Sequence, residues 1–225
     1  MAIFEVLNNQ QSYFNRYFRR NVGDDDYATI PEVTLAGDFV IEFDFYLSSE
    51  SNDGFLFSGA GAKALEIYKD GEGLNGTIAL FYGGLKLGNT AVLTQNAFNS
   101  LKLRRVGSVA TIESGIGAVL LTVAISGDCV IDTIYARNGT STFNLNGILA
   151  NLKIYDNGTL IRNYPLNEPK GTSIIYDIAG GNNGAIVNGD DEDKGLFTKQ
   201  ANGDWKGNDL DVPPWDSVDQ VLVTA

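Results

Sequence analysis

Between Ile148 and Tyr155 apolar and polar residues alternate, the period of a strand that lays one face on a core and turns the other away. The alternation assigns Ile148, Ala150, Leu152 and Ile154 to the core and Leu149, Asn151, Lys153 and Tyr155 to the opposite face. Asp156-Asn157-Gly158 follows, residues that accept positive φ, and Thr159-Leu160-Ile161 resumes an extended pattern, so the chain reverses in a tight hairpin. Pro165 has no N–H for a ladder and closes the return strand. A half-buried hairpin is not stable alone, and its apolar face demands further strands beside and opposite it.

The best-matched partner is the stretch from Asp38 to Leu47. Phe39, Ile41, Phe43, Phe45 and Leu47 share one face, and Val40, Glu42, Asp44 and Tyr46 share the other. The two matched apolar faces predict that residues 39–47 pair with residues 148–155. Further extended runs cover residues 54–58, 64–69, 77–82, 98–106, 109–113, 118–125 and 130–137, parted by glycine-rich turns. Gly59-Ala60-Gly61-Ala62 matches a dinucleotide-binding fingerprint only by letter, because Leu65-Glu66-Ile67-Tyr68 then alternates as a strand where that motif needs a helix. Beyond the first twenty residues no segment has a helical period. The class is all-β, and 225 residues can bury about 70% of the unfolded surface, enough for one large domain.

Charge and composition remove several functions. The formal net charge is −12, against nucleic-acid or anionic-membrane binding, which needs clustered Lys and Arg. The sequence contains no histidine, which removes Ser-His-Asp and Cys-His catalysis and His-ligated zinc. Cys129 is the single cysteine, so no intrachain disulfide forms, and Val130 and Ile131 beside it mark it as a small buried hydrophobe. No basic start precedes an apolar run, and no apolar run reaches about 18 residues, so synthesis in a cytoplasm is expected. Asn-Gly-Thr at Asn75, Asn138 and Asn157 then reads as hairpin turn rather than glycosylation site.

Several motifs resemble the laminin-G and concanavalin A-like sandwiches. They are Phe143–Glu168 (FNLNGILANLKIYDNGTLIRNYPLNE), the acidic turn at Asp24-Asp25-Asp26-Tyr27, and the hairpin at 98–113, in which Phe98 stands where a Trp is common. A fourth, residues 173–187, resembles the tail of such domains in phage and bacterial proteins. The resemblance implies an antiparallel β-sandwich, a jelly roll, over residues 23–187, with an arm at 1–22 and an acidic loop and extended tail at 188–225. That fold carries lectins, glucanases and virion modules alike, so function must be argued from the site.

A lectin on this fold binds sugar with loop Asp and Asn and a stacking aromatic, which points to Asp70, Glu72, Asn75, Tyr82 and Trp205. No cofactor is expected. Calcium is the one candidate ion, through runs such as Asp190-Asp191-Glu192-Asp193, although Ala201 stands where an EF-hand loop would place its bidentate Glu. A glucanase on this fold carries carboxylates at alternate strand positions. Glu42 and Asp44 fit, about 6.6–6.8 Å apart along the backbone, but Leu47 occupies the third place of Glu-x-Asp-x-x-Glu, so no enzyme is expected.

The ends carry aromatic residues. Tyr13, Phe14, Tyr17 and Phe18, with Arg nearby, read either as partner-docking anchors or as part of a first strand; Trp215 after Pro213-Pro214 and the run Gln220–Thr224 read as docking or strand-adding elements. The combined expectation is a non-enzymatic phage virion surface protein, a capsid decoration or a tail-fibre subunit. Its partners would be other virion proteins, further copies of itself and host glycans, with no nucleic acid and no membrane.

Overall fold

A computed structural model of the chain describes residues 18–20, 27–47, 54–70, 76–94, 97–137, 147–166, 173–187, 198–199 and 205–206. The strands in chain order are β1 (Phe18–Arg20), β2 (Tyr27–Leu35), β3 (Phe39–Leu47), β4 (Gly54–Ser58), β5 (Leu65–Asp70), β6 (Thr77–Tyr82), β7 (Leu85–Asn89), β8 (Ala97–Val106), β9 (Val109–Ser114), β10 (Val119–Ala124), β11 (Cys129–Ile134), β12 (Gly147–Asp156), β13 (Thr159–Tyr164), β14 (Ile174–Ile175), β15 (Gly184–Val187), β16 (Thr198–Lys199) and β17 (Trp205–Lys206). A 3-10 turn at Gly61–Lys63 occupies the glycine-alanine divider before β5. The first sheet runs β1-β12-β3-β8-β9-β10, with β13 also on β12; the second runs β14-β15-β2-β11-β4-β5-β6-β7. The fold is an antiparallel β-sandwich.

Matched apolar faces do pair: β3 lies against β12 with Ile41 opposite Ile154, and on its other side against β8 with Ile41 opposite Leu103. Phe39, Ile41, Phe43 and Phe45 are at most 2% exposed and meet Phe57, Ile67, Leu80 and Ile131 of the second sheet in one core. Phe43 and Phe57 touch edge to face across the two layers, ring centroids 5.3 Å apart. Each such side chain contributes about 1.5–3 kcal/mol when fully buried.

Strict alternation fails in β12. Its pairing with β3 passes from Lys153 opposite Glu42 to Ala150 opposite Asp44, leaving one extra residue on β12. Asn151 takes φ 54, donates its N–H to Pro165 O (3.2 Å) and its Nδ2 to Asp44 Oδ2 (2.7 Å). Such a bulge shifts the in-out parity by one. Leu149 is therefore in the core, not turned away, and Ala150 shares the outer face with Asp44, not the core. The hairpin after it forms as expected, with Asn157 at φ 46 and Gly158 at φ 80 between Asp156 and Thr159.

Other elements depart from the sequence reading for identifiable reasons. The strand entered at Tyr27 continues through Pro31; pairing with β11 jumps from Thr29–Thr133 to Val33–Ile131, so the residue without an N–H sits in the gap. Residues 130–137 are extended only to Ile134, because Tyr135 turns to φ 64 and donates to Leu56 O. The unforeseen β7 contains Lys86, Gly88 and Asn89, poor strand formers, and is aligned by a turn with Gly83 at φ 57 and Gly84 at φ 79.

Arg105 ties the layers together at one end. It is 3% exposed on β8, and its guanidinium donates to Gly37 O, Gly127 O (2.5 Å) and Leu35 O (3.4 Å), with Cζ 5.0 Å from the Phe39 ring centre. Cys129 Sγ lies 3.5 Å from Nη1; as expected it is fully buried, and burial pushes its thiol up while Arg105 pulls the other way.

Asp177 holds the turn between β14 and β15. Its Oδ1 accepts N–H groups of Asn163 (2.9 Å) and Ala179 (3.0 Å), and its Oδ2 that of Asn182 (3.2 Å). Burial pushes this carboxyl up, but the backbone donors of Asn163, Ala179, Gly180 and Asn182 together hold it below the ordinary 3.8. A lowered folded value stabilises the protein above the unfolded value and is lost as pH falls through the folded one. Asp177→Ala should therefore cost about 2–4 kcal/mol in urea unfolding at pH 7, and the gap to wild type should narrow below pH 3.8.

β1 pairs with β12, Phe18 opposite Leu149, so the end of the N-terminal arm adds to the first sheet. β16 and β17 pair with each other. Tyr13, Phe14, Tyr17, Trp215 and the segment 220–224 lie outside the described residues.

Candidate functional site

The outer face of the second sheet is where aromatic and charged side chains converge. Leu65 and Ile67 of β5 point into the core, so Glu66, Tyr68 and Asp70 point out; on β6, Ile78 and Leu80 point in and Thr77, Ala79 and Phe81 point out. Register sets Phe55 of β4 beside Tyr68, Tyr68 beside Ala79, and Glu66 beside Phe81. The small Ala79 leaves room for three rings to gather: Phe55–Tyr68 centroids lie 4.8 Å apart, Tyr68–Phe81 5.7 Å and Phe55–Phe81 6.3 Å. Phe55 is buried, whereas Tyr68 and Phe81 are partly exposed.

Charged groups flank the rings on both sides. Arg137 Nε donates to Glu66 Oε1 (3.0 Å) and its Cζ sits 5.5 Å from the Phe55 ring centre. Glu66 is 1% exposed, and its Oε2 has no hydrogen-bond partner among the described residues. Burial raises its carboxyl pKa, opposed by the bond and the charge of Arg137. At the other end, Asp70 Oδ2 accepts from Lys86 Nζ and from Asn89 Nδ2 (2.8 Å), and Asn89 Nδ2 also lies 3.3 Å from Thr77 Oγ1. Phe55, Glu66, Asp70 and Ala79 are buried, Tyr68, Phe81 and Asn89 partly exposed and Lys86 exposed, so a polyhydroxylated ligand would lay its C–H groups on the Tyr68 and Phe81 rings and meet Lys86 and Asn89 as donors.

The outer face of the first sheet carries a polar cleft of about 410 Å³ lined by Glu42, Asp44, Ser100, Lys102, Asn151 and Lys153 among others. Each carboxylate there is tied to its neighbours. Glu42 pairs with Lys102 (3.0 Å) and accepts from Tyr155 OH (3.4 Å); Asp44 accepts from Ser100 Oγ (2.6 Å) and Asn151 Nδ2 (2.7 Å). These contacts stitch β8, β3 and β12 together. Lys153 stands opposite Glu42 in register, but the ion pair is made by Lys102.

Of the residues proposed from sequence, Asp70 lies on the aromatic face. Tyr82 does not: it packs against the core at the far end of the β5–β6 ladder, about 17 Å along the strand from Asp70, and its OH donates to Asp128 O (3.0 Å). Glu72 and Asn75 lie outside the described residues, and of Trp205 only the backbone in β17 is described. Phe55, Glu66, Tyr68, Phe81 and Arg137 were not anticipated. Their signal was parity: once Leu65 and Ile67 face inward, Glu66, Tyr68 and Asp70 must share the other face. Among the described residues no group of three or more Asp, Glu, Cys or His could hold a metal ion, and the acidic runs 24–26 and 190–193 lie outside them.

No protein-family model matches the chain, and no curated protein matches it in sequence. Solved structures do. A candidate carbohydrate-binding protein from Bacteroides ovatus superposes with a TM-score of 0.58 at 13% identity, over 77% of this chain and 58% of that one. Domains LG4-5 of the mouse laminin alpha1 chain give 0.50 at 12% identity, over 68% and 44%. The fold is a laminin-G-like β-sandwich. Identities this low speak for the sandwich and not for a ligand, and the chain spans little more than half of the Bacteroides protein. Tailspike protein 2 of the Escherichia coli O157:H7 bacteriophage CAB120 gives 0.48 at 14% identity over 67% of this chain and 26% of that one, too low to bear on assembly.

Proposed function

We propose that this sandwich is a non-enzymatic glycan-binding module displayed on a phage virion, as a capsid decoration or tail-fibre subunit, and that it takes sugars on the outer face of the second sheet. The observation that carries the reading is the Phe55–Tyr68–Phe81 surface edged by Asp70, Asn89 and Lys86. The tie-up of Glu42 and Asp44 by Lys102, Tyr155, Ser100 and Asn151 supports binding over hydrolysis. The phage-like pattern of residues 173–187 and the aromatic ends support a place in an assembly, with further copies and other virion proteins as partners.

The test is a glycan array probed with and without chelator, followed by titration of any hit. Tyr68→Ala and Phe81→Ala should each weaken binding by about tenfold or more, roughly 1.4 kcal/mol, with the melting transition retained. Unchanged affinity in both variants would remove this face from the reading. Absence of the chain from purified particles by mass spectrometry would remove the virion.

A further inference from the structure

We propose that residues 220–224, Gln-Val-Leu-Val-Thr, dock on β10 as the next strand of the first sheet. β10 ends that sheet and pairs with β9. The two-residue turn at Gly107-Ser108, with Gly107 at φ 59, makes Val106 and Val109 a hydrogen-bonded pair. Counting along the ladders, Ala110 and Ile112 then bond Val123 and Leu121, and the backbone groups of Leu120, Thr122 and Ala124 face outward. Leu120 O confirms the parity by accepting the N–H of Ala91 (3.3 Å); the outward groups of Thr122 and Ala124 have no partner among the described residues.

Such an edge is normally blunted by charge, proline or a covering element, because it templates strand addition. This one is not. Residues 115–127 contain no charged residue and no proline, in a chain with 28 acidic and 16 basic residues. Apolar side chains stand exposed beside it: Val119 at 59%, Val109 at 48% and Val106 at 57%. Leu121 and Val123 point inward and pack over Gly88 of β7, so the core side of the edge is closed while its backbone remains open.

The occupant follows from what the chain offers. After Lys206 come 19 residues, 207–225, and among them Gln220-Val221-Leu222-Val223-Thr224 is an uncharged run with three β-branched residues and an apolar centre, five residues against the six of β10. Strand addition uses main-chain bonds for affinity and needs no change in the sandwich.

Hydrogen exchange on the full chain tests this. The amides of Thr122 and Ala124, and alternate amides of 221–224, should exchange at least ~100-fold more slowly than unstructured peptide. In full-length Val221→Pro/Val223→Pro, which leaves the sandwich untouched, the Thr122 and Ala124 amides should lose that protection. In Thr122→Pro, which removes an outward N–H only, the tail amides should lose theirs. Tail amides exchanging at the unprotected rate in the wild-type chain would overturn the proposal. So would protection of Thr122 and Ala124 that survives the double proline variant, which would assign the edge to a second copy or another partner.

Discussion

Phe43→Asp should yield no cooperatively folded protein. Phe43 is 2% exposed on the central strand of the first sheet and meets Phe57 of the second edge to face at 5.3 Å. A carboxylate there loses a large aromatic side chain and buries a charge four residues along β3 from Phe39, the residue that pairs with the buried Arg105, a cost of several kcal/mol out of a total stability of roughly 5–15. Circular dichroism with a urea titration checks it: the variant should show no sigmoidal transition. A soluble variant melting cooperatively near the wild-type temperature would contradict the placement of Phe43 between the layers.

Arg105→Met should leave a folded but weaker domain, destabilised by about 2–4 kcal/mol. Methionine fills much of the space beside Phe39 and keeps the packing of the side-chain stem. It leaves the carbonyls of Gly37, Gly127 and Leu35 without their donor at the junction of β8, β2 and β11. The transition midpoint in urea should fall with an unchanged slope, since the surface exposed on unfolding is nearly the same. A midpoint equal to wild type would show that water replaces the guanidinium at no cost.

Phe43 was legible from the alternation of residues 38–47, since a face of five apolar residues at period 2 has one stable destination. Arg105 was not, because it sits in a polar-looking run, Leu103-Arg104-Arg105-Val106, where one arginine is exposed and its neighbour nearly fully buried. Parity points Arg105 inward, yet a cation is accepted there only because three carbonyls from two distant turns arrive beside it.

The same division runs through the candidate site. Asp70 could be picked from sequence because it borders a glycine-rich loop, and the structure sets it on the rim of the aromatic face. Tyr82 was picked for the same reason, but the β5–β6 register turns it inward, opposite Leu65. Phe55, Tyr68 and Phe81 come from three separate strands, and no local pattern announces that their rings will meet.

The class, the extended course of residues 39–47 and of 148–155, the Asp156–Thr159 hairpin and the burial of Cys129 were legible in the residues themselves. Each follows from period-2 hydrophobicity or from local turn chemistry, which act over a few residues. The rest came with the fold: the Asn151 bulge that moves Leu149 into the core, the strand running through Pro31, and the outer face that gathers the rings. These depend on which strands become neighbours and in what register, and a one-residue shift in register exchanges a strand's two faces while leaving the alternation unchanged.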